Sequence, residues 1–260
     1  MSSAARSSMF ALILVVMVAL IAPPSTLHAD SSSLSSYWQP AITRWDDLIE
    51  KYAQANGLDP NLVAAIIEEE SKGNPRLISA AGAVGLMQIM PYEVGFTWRP
   101  RTARLKDPET NLEWGMNTLS QVIRQAQGRI SLALLAYNSG WDRIHLRSTR
   151  IFATKVLDHY ARSILTGAGL DLKQLRSYTL YIVAHSSAGP IQADRIESDG
   201  AFEPLPNFDP TTLLPDLPHS IAYAAIDENH IAWWVDVWVE PVMNQATSDF
   251  TLSFSRRARE

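Results

Sequence analysis

Residues 61–91 read NLVAAIIEEESKGNPRLISAAGAVGLMQIMP, and this stretch decides how the rest of the chain is interpreted. Its first part predicts a short helix, with Asp59 as the N-cap and Pro60 in the first helical position. The apolar residues of this helix recur at the spacing of one helical face. They are Leu62, Val63, Ile66 and Ile67.

The same spacing, continued by three and four residues, reaches Glu70. Glu68 and Glu69 are predicted to lie on the opposite side, together with Ala65 and Lys72. A carboxyl group that faces an apolar wall loses hydration, which raises its pKa and keeps it protonated near neutral pH. Such a group can act as a general acid. The spacing alone equally allows a helix that frays early, with Glu70 reaching water from the last turn.

The segment that follows Gly73 and Pro75 is too rich in glycine and alanine for an ordinary helix. Residues 79–91 are also too apolar for an ordinary exposed loop. Gly82 and Gly85 allow a positive φ or the close approach of a ligand. This composition indicates a segment that shapes a site.

At these residues the sequence resembles the Slt-type lytic transglycosylases, the family that cleaves the glycan strands of peptidoglycan. The family's hallmark is Glu-Ser, a serine eight residues later, and Gly-Ala-x-Gly-Leu-Met-Gln-(Ile/Leu)-Met-Pro. Glu70-Ser71, Ser79 and the run from Gly82 to Pro91 fit it without a gap. Two further patterns of the family are matched by Pro108, Asn111, Leu112 and Gly115, and by Ala136 to Gly140. The resemblance implies a mainly α, lysozyme-like domain over residues 38–165.

The resemblance also implies the site. Glu70 would be the only catalytic acid and base, and no metal or cofactor is expected. Ser79, Met87, Gln88 and Met90 would line the glycan groove, where Gln88 offers an amide and the methionines an adaptable apolar floor. Tyr137 would help to orient Glu70, and Asn138 would contact the sugar.

The implied reaction is a lyase reaction on the bond between N-acetylmuramic acid and N-acetylglucosamine, which leaves 1,6-anhydromuramic ends. Most glycosidases need two carboxylates; three other candidates, Glu93, Asp107 and Asp142, lie outside the positions that the family uses for chemistry. The alternatives are a lysozyme-like hydrolase and a non-catalytic wall-binding protein on the same fold. Intact Glu70 and Tyr137 argue against the non-catalytic alternative.

The match weakens in the last helix of the domain, predicted over residues 150–165. Where the family has Glu-Thr-x-x-Tyr-Val, this chain has Ser148 and Thr149, followed by Phe152 and Ala153. The missing glutamate and tyrosine put contacts to the peptide or the distal sugar in doubt.

The N-terminus predicts export. Arg6 precedes an uninterrupted apolar run from Met9 to Ala22, which is short for a membrane span of about 20 residues. With a plausible cut after Ala29, residues 1–29 are typical of a secretory signal peptide, and an uncleaved anchor is the alternative. The expected location is the periplasm, the cell envelope or the exterior, with the membrane touched only by this segment. Residues 30–37 predict a serine-rich linker.

Between these features the pattern predicts a helix after Pro40 that ends at Asn56-Gly57, a loop over residues 91–104, and a helix capped by Asp107-Pro108. The apolar run from Ile130 to Ala136 predicts a buried helix.

Residues 166–260 resemble nothing familiar, and their charge balance is acidic whereas that of residues 30–165 is nearly neutral. The alternation in residues 230–240, repeated by Phe250, Leu252 and Phe254, predicts strands of a small β module. Trp234 and Trp238 on the second face could stack on sugars or form part of a core. The type of element over residues 178–184 stays open.

The remaining composition limits the partners. The absence of cysteine excludes disulfides and thiolate metal sites. No phosphate-binding glycine loop, paired-histidine motif or repeat is present. Peptidoglycan strands are the expected partner; no nucleic acid is expected, and the sequence names no protein partner.

Overall fold

The computed structural model describes residues 34–226 and 229–244, which belong to one compact unit. The first part of these residues is helical. Its helices are α1 (Pro40–Thr43), α2 (Asp46–Asn56), α3 (Pro60–Ser71), α4 (Thr102–Leu105), α5 (Pro108–Gln125), α6 (Ile130–Ser139) and α7 (Arg147–Gly167). Helix α3 packs against α7, and α6 packs against both α5 and α7.

Two aspartates begin the helices that frame the site, as predicted. The Asp59 side chain accepts a hydrogen bond from the backbone N–H of Asn61, and the Asp107 side chain accepts one from that of Thr110. Each is followed by proline at the first helical position, where the missing N–H costs nothing. Gly57 ends α2 in the left-handed conformation, with φ of 67°.

The single helix predicted after Pro40 is wrong, because the chain breaks between α1 and α2. At this break the guanidinium of Arg44 and the indole N–H of Trp45 both donate to the carbonyl of Gly73. The turn between α1 and α2 therefore places the side chains of Arg44 and Trp45 against Gly73, just beyond the end of α3. The predicted loop over residues 91–104 also contains structure, a 3₁₀ turn at Tyr92–Val94 and the start of α4.

The second part is an antiparallel sheet with the strand order β3-β2-β1-β5-β4. The strands are β1 (Leu175–Ser186), β2 (Gln192–Glu197), β3 (Phe202–Pro204), β4 (His219–Ile226) and β5 (Ala232–Met243). The open segment over residues 178–184 is thus a strand. A helical part followed by a β-rich part confirms the predicted fold class.

One face of the sheet is buried against the helices. The paired residues Leu180 and Val239 have no exposed surface. Further residues of this face, spaced two positions apart along β1 and β5, are also buried. They are Ile182, Ala184, Val235 and Val237. Trp234 and Trp238 lie on the opposite face, as predicted, where Trp234 stacks on the His185 ring and Trp238 contacts the His219 ring at a tilt.

Strand β4 is joined to the connection between α2 and α3. The N–H of Asp59 donates to the carbonyl of Ala222, and the N–H of Ala224 donates to that of Gly57. The Asp59 carboxylate also accepts from the hydroxyls of Tyr160 and Ser220. Strand and helices therefore share one hydrogen-bonded seam, and the division predicted at residue 165 stays a prediction.

The described part of the predicted linker is bound to the helices. Leu34 is buried, and the Ser35 hydroxyl donates to the carbonyl of Ser163 at 2.9 Å. The predicted signal segment, the rest of the linker and the alternation at Phe250 to Phe254 lie outside the described residues. Among the described helices, none combines the length and the apolar composition that a membrane crossing requires.

Candidate active site

Three consecutive glutamates at the end of α3 have three different environments. The Glu68 carboxylate lies 3.1 Å from the Lys72 ammonium, one turn further along. The Glu69 carboxylate points to α7, where Lys155 and His159 each approach it to 3.2 Å. The Glu70 carboxyl has no hydrogen-bond or ion-pair partner within residues 34–226 and 229–244. Only one of the three is thus left available for chemistry.

The side of α3 on which Glu69 and Ala65 were predicted, opposite Glu70, is covered by another helix. Ala65 has no exposed surface, and the Glu69 side chain is only 10% exposed, because α7 covers this side of α3. Lys155 and His159 are four residues apart and so lie on one face of α7. That spacing was the available signal for the ion pairs, but sequence reasoning missed it.

The environment of Glu70 disfavours its charged form. Burial, as the larger cause, and the negative charge of neighbouring Glu69 together raise the pKa of the Glu70 carboxyl to about 8. Both causes act because an ionised carboxylate here would lose hydration and meet a like charge. The carboxyl is therefore protonated at neutral pH.

Asn111 on α5 holds the glycine-rich segment in place. Its side chain is fully buried, accepts from the N–H of Met87 at 2.8 Å, and donates to the carbonyls of Val84 and Leu105 at 2.8 and 2.9 Å. Gly85 packs directly on it, since a Cβ there would lie 2.2 Å from the Asn111 amide nitrogen. One side chain therefore supplements the backbone hydrogen bonds of this non-helical segment, such as the pair that Val84 and Ile89 exchange.

Tyr137 links α6 to the same segment. Its hydroxyl donates to the carbonyl of Met87 at 2.9 Å. Burial raises the pKa of the Tyr137 hydroxyl well above its usual value, and the nearby Glu70 acts in the same direction. The structure thus brings Tyr137 close to Glu70, with the Met87 carbonyl as its hydrogen-bond partner.

Met87 does not line an open groove, contrary to the prediction. Its side chain is fully buried against Gly115, where a Cβ would come within 2.4 Å of the sulfur. Glycine at residue 115 is therefore what allows α5 to pack on this methionine. Met90 is half-buried, so that only one of the two methionines presents surface.

The polar residues predicted for the groove have local roles. The Gln88 amide donates to the carbonyl of Gly85 at 2.9 Å, and its own backbone has a φ of 49°. The Ser79 hydroxyl accepts from the N–H of Ala83 at 3.0 Å and so closes the turn. Asn138 is exposed at the end of α6.

The aromatic residues after Pro91 form a cluster that was not predicted from the sequence. Arg99 lies over the ring of Phe96, with 4.6 Å to its centroid, and Trp98 meets Phe96 edge-on. Burial lowers the pKa of the Arg99 guanidinium, and Tyr137 acts in the opposite direction. Trp98 is 66% exposed beside it.

The comparison with protein families agrees with the geometry. Residues 47–154 match the profile of the family described as "Transglycosylase SLT domain". This stretch includes α3, the glycine-rich segment, α5, α6 and the first turns of α7. The resemblance to the Slt-type lytic transglycosylases is thereby confirmed for the helical part of the chain.

Curated relatives match the same region. An endo-type membrane-bound lytic murein transglycosylase A from Klebsiella pneumoniae is 37% identical over 120 residues, which cover 41% of this chain and 58% of the relative. A transglycosylase of Enterobacteria phage PRD1 is 36% identical over 121 residues, or 45% of this chain and 43% of the relative. The chain thus spans about half the length of each relative.

Among solved structures, the 70-kDa soluble lytic transglycosylase from Escherichia coli has a TM-score of 0.40 and 27% identity, over 45% of this chain and 23% of that one. An inactive mutant of the lytic transglycosylase Slt from Pseudomonas aeruginosa has a TM-score of 0.42 and 26% identity, over 50% of this chain and 24% of that one.

Proposed function

We propose that this chain is a lytic transglycosylase that cleaves peptidoglycan strands between N-acetylmuramic acid and N-acetylglucosamine, with Glu70 as its acid and base. The observation that carries the proposal is the carboxyl of Glu70, which is half-buried and unpaired among the described residues and has a pKa raised to about 8. A general acid works best when its pKa lies near the pH of the reaction. The relatives named above support the choice of substrate.

The reaction needs one group that first gives and then takes a proton. Protonated Glu70 donates to the glycosidic oxygen, the bond from that oxygen to C1 breaks, and the N-acetylglucosamine side leaves with a free 4-hydroxyl. The Glu70 carboxylate then takes the proton of the muramoyl 6-hydroxyl, whose oxygen bonds to C1 and closes the 1,6-anhydro ring. Atoms and charge balance without the uptake of water, and Glu70 ends protonated as it began.

Of the three other candidate carboxylates, Asp142 is exposed and the other two are hydrogen-bonded within their own segments. Glu93 accepts hydrogen bonds from the backbone and hydroxyl of Thr102, and Asp107 accepts the equivalent pair from Thr110. Glu69 is paired with two basic groups of α7. A hydrolase would need a second carboxylate to activate water, so this arrangement favours the single-acid reaction over hydrolysis.

Tyr137 and Asn111 are positioning residues in this proposal. Both bind the main chain at Met87, one through its carbonyl and one through its N–H. The glycine-rich segment is therefore fixed on two sides next to Glu70. Ser79, Gln88 and Met90 are proposed to border the glycan, with Asn138 at the rim.

We further infer that the chain is exported, because its substrate lies outside the cytoplasm and its first 29 residues have the pattern of a signal peptide. The Klebsiella relative is named membrane-bound. Whether the N-terminal segment is cleaved can be tested by sequencing the N-terminus of the exported protein.

The test is digestion of purified peptidoglycan by the full chain, followed by mass spectrometry of the products. Transglycosylase fragments are one water lighter than hydrolytic fragments and carry 1,6-anhydromuramic ends. Glu70→Gln should lower the rate by a factor of about 100 to 10,000, whereas Glu68→Gln, on the same turn, should digest the wall normally. New reducing ends would identify a hydrolase, and wild-type activity in Glu70→Gln would refute the assignment of the acid.

A further inference from the structure

The short segment before α1, residues 34–38, is folded against α3 and α7. The indole N–H of Trp38 donates to the side-chain carbonyl of Asn61 in α3 at 2.9 Å, and the backbone N–H of Ser35 donates to the same oxygen at 3.0 Å. The Ser35 hydroxyl donates to the carbonyl of Ser163 in α7. We call this segment the N-terminal clasp, because it is hydrogen-bonded to both helices.

Tyr37 of the clasp connects it to the carboxylate beside the proposed acid. The Tyr37 hydroxyl lies 2.7 Å from Nδ1 of His159, and Nε2 of the same ring lies 3.2 Å from Oε1 of Glu69. An ionised carboxylate only accepts hydrogen bonds, so Nε2 carries the proton of this contact. In the neutral ring, Nδ1 then accepts from the Tyr37 hydroxyl, and this bond fixes which nitrogen is protonated. One line of hydrogen bonds therefore joins the clasp to the residue before Glu70.

His159 is the least exposed of the basic partners of the Glu69 carboxylate. The two lysines that also approach it, Lys72 and Lys155, have side chains that are 68% and 58% exposed, whereas the imidazole is 25% exposed. Long exposed side chains lose rotamer freedom when they are fixed, so their ion pairs contribute little. The imidazole has fewer rotatable bonds and is held at its far nitrogen by Tyr37. It therefore fixes the direction of the Glu69 carboxylate.

The Tyr37 hydroxyl keeps its proton over the pH range in which Glu70 titrates. Burial is the largest cause and the negative charge of Asp158 the next, and they raise the pKa of Tyr37 to about 12. The other charged or titratable groups that interact with Tyr37 or Glu70 come from α3, α6 and α7, and they are Glu68, Glu69, Tyr137 and Arg162. Tyr37 can therefore donate to the imidazole throughout this range.

We propose that Tyr37 and His159 are positioning residues of the reaction, which hold the Glu69 carboxylate beside Glu70 and so connect the N-terminal clasp to the active site. Both residues lie outside the part of the chain that matches the family, residues 47–154. The proposal rests on the proposed function, because that function gives Glu70 the role of the acid. Its consequence is that the clasp influences the pH at which Glu70 loses its proton.

The test follows the titration of Glu70 in the full chain by NMR of isotope-labelled glutamate carboxyls. The Glu70 signal is identified by its loss in Glu70→Gln. Tyr37→Phe keeps the ring but removes the donor to Nδ1 of His159, so that the Glu69 carboxylate can turn towards the exposed lysines and water. The pKa of Glu70 should then fall by about 0.3–0.5 pH unit. His159→Leu should produce the same fall, whereas His159→Gln, whose amide retains an N–H donor, should keep the wild-type value.

Two further variants show whether the effect passes through Glu69. In a Glu69→Gln background, Tyr37→Phe should not change the pKa of Glu70 any further, because the charge that Tyr37 helps to position is gone. Tyr52→Phe is the matched control, since the Tyr52 hydroxyl also donates to a glutamate, Glu109, in a contact between α2 and α5. This control should leave the titration of Glu70 unchanged.

An unchanged pKa of Glu70 in Tyr37→Phe would overturn the proposal, and so would an equal fall with and without Glu69 or an equal fall in Tyr52→Phe. The titration needs no turnover, and in the active enzyme the alkaline decline of the rate should move by the same amount. A chain whose titration responds as expected but which digests no peptidoglycan would refute the proposed function alone. An active chain whose titration does not respond would refute the positioning role alone.

Discussion

Lys155 of α7 lies 3.2 Å from the carboxylate of Glu69, so that α7 holds a fixed negative charge beside the proposed acid. That charge is the second cause of the raised pKa of Glu70, after burial. Helix α7, which packs against α3, therefore also contributes to the raised pKa of Glu70, because it holds the Glu69 carboxylate in place.

The first prediction concerns this charge. Glu69→Gln removes the like charge beside Glu70 and should lower the pKa of Glu70, because its ionised form becomes less costly. Since the acid must begin protonated, the alkaline decline of the rate, centred near pH 8 in wild type, should move to lower pH. The pH–rate profile checks this, with Glu68→Gln as the control. An unchanged or raised midpoint in Glu69→Gln would contradict the electrostatic link.

The second prediction concerns stability. The folded-state pKa of Glu70 is raised above the value of about 4.3 for an unfolded glutamate, so the folded state binds more protons between these pH values and loses stability as the pH rises. Glu70→Gln has no such loss. Its free energy of unfolding should therefore exceed that of wild type by about 1–3 kcal/mol at pH 9 and differ little from it at pH 4. Urea unfolding at both pH values measures this. A constant difference across the range would show that the Glu70 carboxyl does not titrate as described.

The third prediction concerns Asn111. Asn111→Leu keeps the branched shape but is bulkier, and it removes the amide that binds the N–H of Met87 and the carbonyl of Leu105. The carbonyl of Val84 keeps only its hydrogen bond from the N–H of Ile89, and the variant should cost about 3 kcal/mol or more. Asn117→Leu, exposed on the same helix, should change stability by less than about 0.5 kcal/mol. Chemical denaturation of both variants makes the comparison. Similar losses in the two would mean that Asn111 does not hold the segment.

The fourth prediction concerns the contact between Gly57 and β4. A Cβ at Gly57 would lie 1.9 Å from the carbonyl oxygen of Ala224, whereas one at Gly169, with a similar φ of 82°, meets nothing within 4 Å. Gly169→Ala should therefore cost only the strain of a positive φ, about 1 kcal/mol, and Gly57→Ala should cost roughly 1–3 kcal/mol more. The difference between their thermal midpoints isolates the contact with the sheet, and equal midpoints would argue against it.

The fifth prediction concerns truncation. A chain that ends at Gly167 loses the whole sheet and exposes the apolar residues that it covers, so it should aggregate or remain unfolded. Circular dichroism and gel filtration test this. A monomeric truncated chain that unfolds cooperatively and digests peptidoglycan would show instead that the helical part is an independent domain.

Structural features that depend on neighbouring residues were predicted well from the sequence. The cap at Asp59 followed by Pro60 begins α3, and the alternation through Val235 to Val239 gives one buried face. The approach of Tyr137 to Glu70 followed from the family motifs, since the two residues lie on different helices and no periodicity relates them.

Features that depend on packing between distant segments could not be predicted from the sequence. The helical pattern predicts Glu69 on the side opposite Glu70, but it does not show that α7 supplies two cations there. Met87 is buried because Gly115 allows α5 to approach it closely. The motif contains both Met87 and Met90, and the sequence does not show which of the two is buried. The hydrogen bonds between β4 and the start of α3 likewise could not be predicted, because they join segments that are far apart in the sequence.

The seam at Asp59 also sets the order in which the protein can fold. The carboxylate that caps α3 accepts a hydrogen bond from Ser220, 161 residues further along the chain. Contacts of such sequence separation are slow to form, because the entropy of closing the loop must be overcome first. A chain that emerges N-terminus first can form the cap of the helix bearing Glu70 from neighbouring residues, but the second oxygen of Asp59 gains its Ser220 partner only after β4 has followed. The joining of α3 to the sheet is therefore a late step.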